Sequence, residues 1–425
     1  MRKKRILLIA YSFPPAGDAQ ALRWAYLSRY MVEFGYQIDV VCAQLPEGAG
    51  CRFDLPAGVQ KVEVFAGPLE HAAMKVKVRI GTDKPNNVAV RTKYSFKFAK
   101  KVYRTARSLF GYLLPGDVRS EWFPFAARTV SRLNPETYDI VITSQEPFVD
   151  TMLGLWLKSK YPNIVWLADF GDTSFAPYVP PIKRRVDMAL EKRAMVASDM
   201  VILTNSRAAR LVNHKYGIDL SKLLILPQGF EDRSDSQHGS FGGSRKEMIL
   251  FFSGTFYRGF RDPGHLFDAL NRVAFPVKFK VAGRNESFVE GAPGCVEFLG
   301  YQDHHKVLKL QQEADILVNI ANRQDHQIPG KLFEYLGAAK PILNIVYNEF
   351  DLSSSVVLKA DAGLNVLNTP HEIERALGWF WRLFKKGRLN KSFRFDRSTI
   401  DEYRWYTLAG RLDAAIRGLL HENSR

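Results

Sequence analysis

Between Ile328 and Pro341 the chain reads IPGKLFEYLGAAKP, and this run holds the residue types best suited to chemistry. Pro329 and Gly330 precede a helical segment whose first turn would present backbone amides and the positive end of the helix dipole, a favoured seat for a phosphate. Lys331 adds a point charge at that place. Glu334, three residues on, shares a helical face with Lys331 and suits a pair of vicinal hydroxyls, as a carboxylate does on a ribose. By spacing alone, an ordinary i,i+3 ion pair on a helix surface is the commoner outcome.

Ligands of open α/β sheets bind beyond the carboxyl ends of the strands, so loops that follow strands are the next places to look. The first such loop, residues 11–18 (YSFPPAGD), has no GxGxxG run. Its Gly17 can bring backbone amides close to an anion, and a Pro-rich turn accounts for it equally well. Gln145, Glu146 and Pro147 follow another strand and border the same region. His214, His265, His304 and His305 stand without carboxylate partners at metal spacing; they read as surface or cap residues, and no metal or other cofactor is expected.

These loops need strands and helices to hold them. Residues 5–10, 36–43, 59–65, 138–143 and 164–168 are apolar or alternating runs of strand length, with a helical stripe of Leu22, Tyr26 and Tyr30 after the first. The cadence restarts after Pro227 with strands at 248–253, 277–282, 296–299, 316–319 and 341–345, and with helices from about His265, His304 and Lys331. Strands alternating with helices predict two doubly wound, Rossmann-like domains in tandem. The polar stretch EDRSDSQHGSFGGSR, after Leu226-Pro227-Gln228-Gly229-Phe230, has linker composition. The expected division is 1–228, 229–398 and an amphipathic C-terminal helix within 399–425.

The runs LEKRAMVASDMVILTNS, LILPQGFE, FSGTFYRGFRDPGHLFDAL, FLGYQDHHKVLKLQQEADILVN and PGKLFEYLGAAKPIL resemble, in order and separation, the C-terminal half of the retaining GT-B glycosyltransferases of the family 4 type. The opening AYSFPPAGDAQALRWAYLSRYMVEFGYQIDVV is similar to their first strand, acceptor loop and first helix. The resemblance implies two Rossmann-like domains facing across a cleft, with the C-terminal helix crossing back to the N-terminal domain. It also implies a hexosyl or related transferase that takes a UDP- or GDP-linked sugar. The acceptor it implies is a glycan or a polyprenyl-diphosphate-linked sugar, as in bacterial-type surface polysaccharide or glycoconjugate synthesis.

In that resemblance Glu334 matches the second glutamate of an E-x7-E motif, which holds the ribose. The first position is His326 instead, which leaves the sugar contact to His326 or to its neighbours Asp325 and Gln327. The family's diphosphate clamp after Gly254 has Thr255 at the usual Arg position, so Arg258, Arg261 and Arg284 are the available cations. Tyr301 follows the next strand, at 296–299, and joins the donor-side set. Lys331 and Arg261 are the expected leaving-group stabilisers, and no enzyme nucleophile is required. Asp169 and Asp172, in ADFGD, match the place of an acceptor-facing His or Asp; capping a turn is an equal alternative.

The chain has 425 residues, 60 Lys+Arg against 44 Asp+Glu, and a net charge of +16. At 46% hydrophobic and 24% charged it is globular in composition. Three cysteines, Cys42, Cys51 and Cys295, form no CxxC pair and point to a reducing, cytoplasmic setting. No apolar run reaches membrane-spanning length. Residues 1–228 hold 33 Lys/Arg and 20 Asp/Glu, against 27 and 24 in 229–425, and residues 71–107 alone hold 11 Lys/Arg and one acid.

Within this basic insertion, 71–114, residues 99–114 can form a helix with hydrophobes on one side and cations on the other. That is the pattern of an interfacial helix on an anionic membrane, which would place the protein peripherally on the inner face; a solvated helix packed on its own domain is the alternative. Two further readings compete: a GT-B protein of other chemistry, such as a sugar-nucleotide epimerase or a non-catalytic relative, and a basic nucleic-acid binder. The second lacks a recognisable module and leaves PGKLFEYL unexplained, so no nucleic acid is expected.

Overall fold

The computed structural model describes residues 2–45, 53–72, 74, 115–171, 181–231, 245–323 and 327–422. Nearly all of the basic insertion, including the helix expected at 99–114, lies outside them, as do Asp172, Asp325 and His326.

The chain divides into two compact units, residues 1–226 with 409–425, and residues 227–408. In the first, seven parallel strands lie in the order β3-β2-β1-β4-β5-β6-β7. They are Lys4–Ile9 (β1), Tyr36–Ala43 (β2), Val59–Val64 (β3), Ile140–Gln145 (β4), Trp166–Phe170 (β5), Met200–Leu203 (β6) and Leu223–Ile225 (β7). In the second, six parallel strands lie in the order β10-β9-β8-β11-β12-β13. They are Met248–Ser253 (β8), Val277–Ala282 (β9), Val296–Gly300 (β10), Ile316–Ile320 (β11), Ile342–Val346 (β12) and Gly363–Leu367 (β13). Both sheets reverse strand order once, at β1/β4 and at β8/β11, and the loops at such a switch point diverge to leave a crevice at the carboxyl edge.

The central strands are solidly apolar because helices cover both faces: β4 and β11 are buried along their whole length. One polar exception is a ladder across the second sheet. Asn319, Asn344 and Asn365 stand opposite one another in register. Asn319 Nδ2 donates to Asn344 Oδ1 (2.7 Å), and Asn344 Nδ2 donates to Asn365 Oδ1 (2.8 Å). A register slip would strand the buried amides of Asn319 and Asn344 without partners, so the ladder fixes β11 against β12.

The C-terminal segment differs from the single helix expected. It forms Arg397–Asp401 and Trp405–Glu422, and the Trp405 amide donates to the Phe230 carbonyl (3.0 Å) between them. Asp396 caps the first piece by accepting from the Thr399 amide (3.3 Å). The longer helix changes unit at Leu408/Ala409. Its Asp413 accepts from the Tyr36 hydroxyl (2.8 Å), and Arg411 donates to the Ile225 carbonyl (2.6 Å). Among the described residues, no helix is long and apolar enough to cross a membrane.

Candidate functional site

The loops at the switch point of the second unit carry several of the residues expected on the donor side. The loop after β8 begins at Gly254, whose φ of +145° only glycine adopts readily. Asn285, from the loop after β9, braces it. Its Nδ2 donates to the Gly254 carbonyl (2.9 Å), while its Oδ1 accepts from the Phe256 amide (2.7 Å). Gly283 makes this approach possible, since a Cβ there would stand 1.9 Å from the Gly254 oxygen, and its φ is +139°. Gly283→Ala should therefore lower stability by about 3 kcal/mol or more, because both loops must open to admit the methyl group. Thermal unfolding measures this, and an unchanged midpoint would show that the two loops are not locked together.

Arg261 is the cation that this scaffold holds. Its Nε and Nη2 both donate to Asn322 Oδ1 (3.0 and 2.6 Å), and its Nη1 reaches the Thr255 carbonyl (3.5 Å). Asn322, after β11, donates in turn to Gln327 Oε1 (3.3 Å), and the buried Gln327 Nε2 has no hydrogen-bond partner among the described residues. Arg261 is thus tied across the two strands that flank the switch point, β8 and β11. Arg258 is exposed; it donates to the Ser287 carbonyl (3.1 Å) and lies over the Phe288 ring (5.0 Å). Arg284 is exposed and lies 5.6 Å over the ring of Tyr301, itself exposed. Thr255 contributes its backbone carbonyl here.

The run first singled out in the sequence forms the helix Lys331–Ala338 after β11, with Pro329 buried before it. Two of its early amides are already used: Leu332 donates to the Pro329 carbonyl (3.0 Å) and Phe333 to that of Gly330 (3.2 Å). Lys331 Nζ donates to Glu334 Oε1 (2.7 Å), and Gln311 Nε2 donates to Glu334 Oε2 (3.3 Å). Burial pushes the Glu334 carboxyl up; the Lys331 ammonium, His304 and the two hydrogen bonds outweigh it and hold the group below the ordinary carboxylate range. The i,i+3 pair expected from spacing is present, on a glutamate too enclosed to be a mere surface residue. Tyr335 ties the helix to β8 by accepting from the Ser253 amide (2.9 Å), and burial pushes its hydroxyl up to about 12.

In the first unit Asp169 is not where the sequence reading put it. It is 1% exposed and faces Arg23, which is fully buried. Arg23 Nε and Nη2, Gln20 Nε2 and Trp24 Nε1 all donate to its two oxygens, at 2.8 to 3.2 Å. Oδ2 accepts three of these bonds and Oδ1 the fourth, so Asp169 anchors the helix Ala19–Glu33 to the end of β5 and is buried against it, not turned outward toward an acceptor as the sequence suggests. Gly17 is exposed in the β1 loop, and Asp18 after it caps the helix by accepting from the Ala21 amide (2.9 Å).

Sequence reasoning missed the other polar centre of this unit. Asp150 is fully buried and accepts from the Tyr11 amide (2.9 Å), so it fixes the β1 loop. Burial holds its carboxyl well above the usual range, against the Tyr11 amide and Arg119. Trp122 packs edge-on to the Tyr11 ring (5.2 Å), and Arg119 lies over it (5.9 Å). Glu146, after β4, has φ of +105°, a conformation costly for any residue with a side chain.

No protein-family model matches the sequence, and no curated protein does. Solved structures do match in fold. A sucrose-phosphate synthase from Thermosynechococcus elongatus superposes with a TM-score of 0.71 at 14% identity, over 99% of this chain and all of that one. HepE of Anabaena, in complex with UDP and glucose, gives 0.63 at 13% identity, over 98% of this chain and all of that one. WaaG, a glycosyltransferase involved in lipopolysaccharide biosynthesis, gives 0.61 at 13%, over 97% and 100%. With its two parallel-sheet units, the chain has the GT-B fold.

Proposed function

We propose that this GT-B chain transfers a sugar from a nucleotide-linked donor, with retention of configuration, to a glycan or lipid-linked acceptor. The observation that carries the reading is the set of cationic and carboxylate groups at the carboxyl edge of the second unit: Arg261 fixed by Asn322, and Lys331 bound to the enclosed Glu334. The UDP and glucose bound to HepE support a uridine nucleotide as the first donor class to test.

On this reading Lys331 and Glu334 hold each other until the donor arrives. The diphosphate takes Lys331 as a partner, which releases the Glu334 oxygens to the ribose hydroxyls. Arg261, already oriented, needs no reorganisation to meet charge that develops on the leaving phosphate. The acceptor oxygen bonds to the anomeric carbon as the bond from that carbon to the phosphate oxygen breaks. The departing phosphate oxygen takes the acceptor proton, so no side chain serves as nucleophile. The acceptor falls to the first unit, where Asp150 and Arg23–Asp169 hold the β1 and β5 ends in place. A cytoplasmic protein held at a membrane by residues 71–114 would fit a lipid-linked acceptor.

Glu334→Ala tests the donor assignment. The donor KM should rise at least tenfold with a smaller change in kcat, since a charge-assisted contact to ribose hydroxyls is worth about 1.5–3 kcal/mol. An unaltered donor KM removes Glu334 from the ribose.

A further inference from the structure

The second unit carries another charged feature, away from its carboxyl edge. Residues 382–397 hold seven Lys/Arg and a single acid, Asp396, while the remainder of 229–425 holds 20 Lys/Arg against 23 Asp/Glu. All seven cations are exposed. Arg382 and Lys385 sit in the last turn of the helix Pro370–Lys385, where they answer the helix dipole. Arg388, Lys391, Arg394 and Arg397 lie beyond its end, out of reach of that explanation. Arg394 pairs with Asp361 (2.8 Å) and is still 89% exposed. The side chains of Lys386, Arg388, Lys391 and Arg397 have no acidic partner within ion-pair distance among the described residues.

Partly exposed aromatic rings stand beside these charges. Phe275 stacks on Trp381 (5.0 Å, 8° between planes), and Trp381 stacks on Phe384 (5.5 Å, 26°). Lys385 Nζ lies 5.7 Å over Trp381. The helix follows β13 and so runs from the carboxyl edge of the sheet to its amino edge; Phe275 precedes β9 at that amino edge. The patch therefore lies at the opposite edge from Arg261, Lys331 and Glu334.

We infer that this patch docks the second unit on an anionic lipid surface. Uncompensated cations are drawn to such a surface, with roughly a fivefold gain in partition for each charge close to it. Tryptophan edges suit headgroup depth, and long basic stems lie along apolar surface while their heads stay wet. The Trp381 ring is already engaged by Phe275, Phe384 and Lys385, so it is not presented for base stacking, which argues against a single-stranded nucleic acid. Attachment at the amino edge leaves the carboxyl edge uncovered.

The test is co-sedimentation of the full chain with vesicles of phosphatidylcholine alone and of phosphatidylcholine with phosphatidylglycerol, at low and at high salt. Three proteins are compared with the wild type: K386Q/R388Q/K391Q, the charge-preserving K386R/R388K/K391R, and a control, K306Q/K309Q/K359Q, at exposed sites elsewhere on the unit. The wild type should bind only the anionic vesicles and be released by salt. The glutamine triple should lose at least tenfold in partition at an unchanged unfolding midpoint, while the other two keep wild-type binding. Equal binding by the glutamine triple, or equal loss in the control, overturns the inference. So does patch-dependent binding of an oligonucleotide without binding to vesicles.

Discussion

Asp169→Ala should lower the thermal midpoint of the first unit by about 10 °C. Arg23 and Asp169 are both fully withdrawn from water, and the pair is closed by Gln20, Trp24 and the Leu226 carbonyl, which Arg23 Nη2 meets at 2.9 Å. Removing one member of a buried pair leaves an uncompensated charge, typically about 3–5 kcal/mol, and each kcal/mol shifts the midpoint of a domain of this size by roughly 2–4 °C. Truncation here also strands the Trp24 Nε1 donor, while Gln20 Nε2 keeps its bond to Ser144 Oγ (2.9 Å). Adding Arg23→Met to Asp169→Ala should recover part of the loss, since the stranded cation is then gone. A single variant that unfolds at the wild-type temperature would show that the pair does not anchor the first helix.

Lys331→Ala should lower kcat by about 10²–10³-fold, the usual effect of deleting one pre-positioned group that stabilises leaving-group charge. Arg261→Ala should do the same, with a smaller change in acceptor KM. The two differ in what they leave behind. Lys331→Ala deprives Glu334 of its 2.7 Å partner, so burial should push the Glu334 carboxyl up and the variant should regain some donor binding as pH rises. Arg261→Ala leaves Asn322 free to rotate and should carry no such pH dependence. Unchanged turnover in both variants would reject the leaving-group role.

The fold was legible where burial makes strands apolar on both faces. Residues 36–43, 248–253 and 277–282 form strands with the expected bounds. The strands missed by sequence reasoning, β6, β7 and β13, run three to five residues. β7 and β13 are sheet edges, half exposed, with no periodic signal to set them apart from loop. Gly363 at the start of β13 argues against a strand by composition, yet a Cβ there would stand 2.0 Å from the Ile342 carbonyl, so only glycine fits.

The site was legible in part for a related reason. Lys331 and Glu334 are three residues apart on one helix, so a local rule finds them. Arg261 is one of two cations in its loop, beside Arg258, but Asn322, which orients it, is 61 residues away, and Asn285 is 29 residues from the amide it receives. Nothing local marks a loop asparagine as a brace instead of a turn former. Asp169 was misread because a carboxylate at the end of a strand looks the same whether it meets solvent or a buried cation. The available signal lay in the first helix, where Gln20, Arg23 and Trp24 recur at i, i+3 and i+4 on a face that is otherwise apolar.

Binding of a nucleoside diphosphate at the carboxyl edge of the second unit can be read from a thermal-shift panel of nucleoside diphosphates and nucleotide sugars. A ligand that binds the native state at about a hundred times its Kd adds about 2.7 kcal/mol, or several degrees in Tm. At least one nucleoside diphosphate and its sugar conjugate should raise the wild-type Tm, and Lys331→Ala, Arg261→Ala and Glu334→Ala should each shrink the rise. No rise with any nucleotide, or a rise that all three variants retain in full, would contradict binding at that edge.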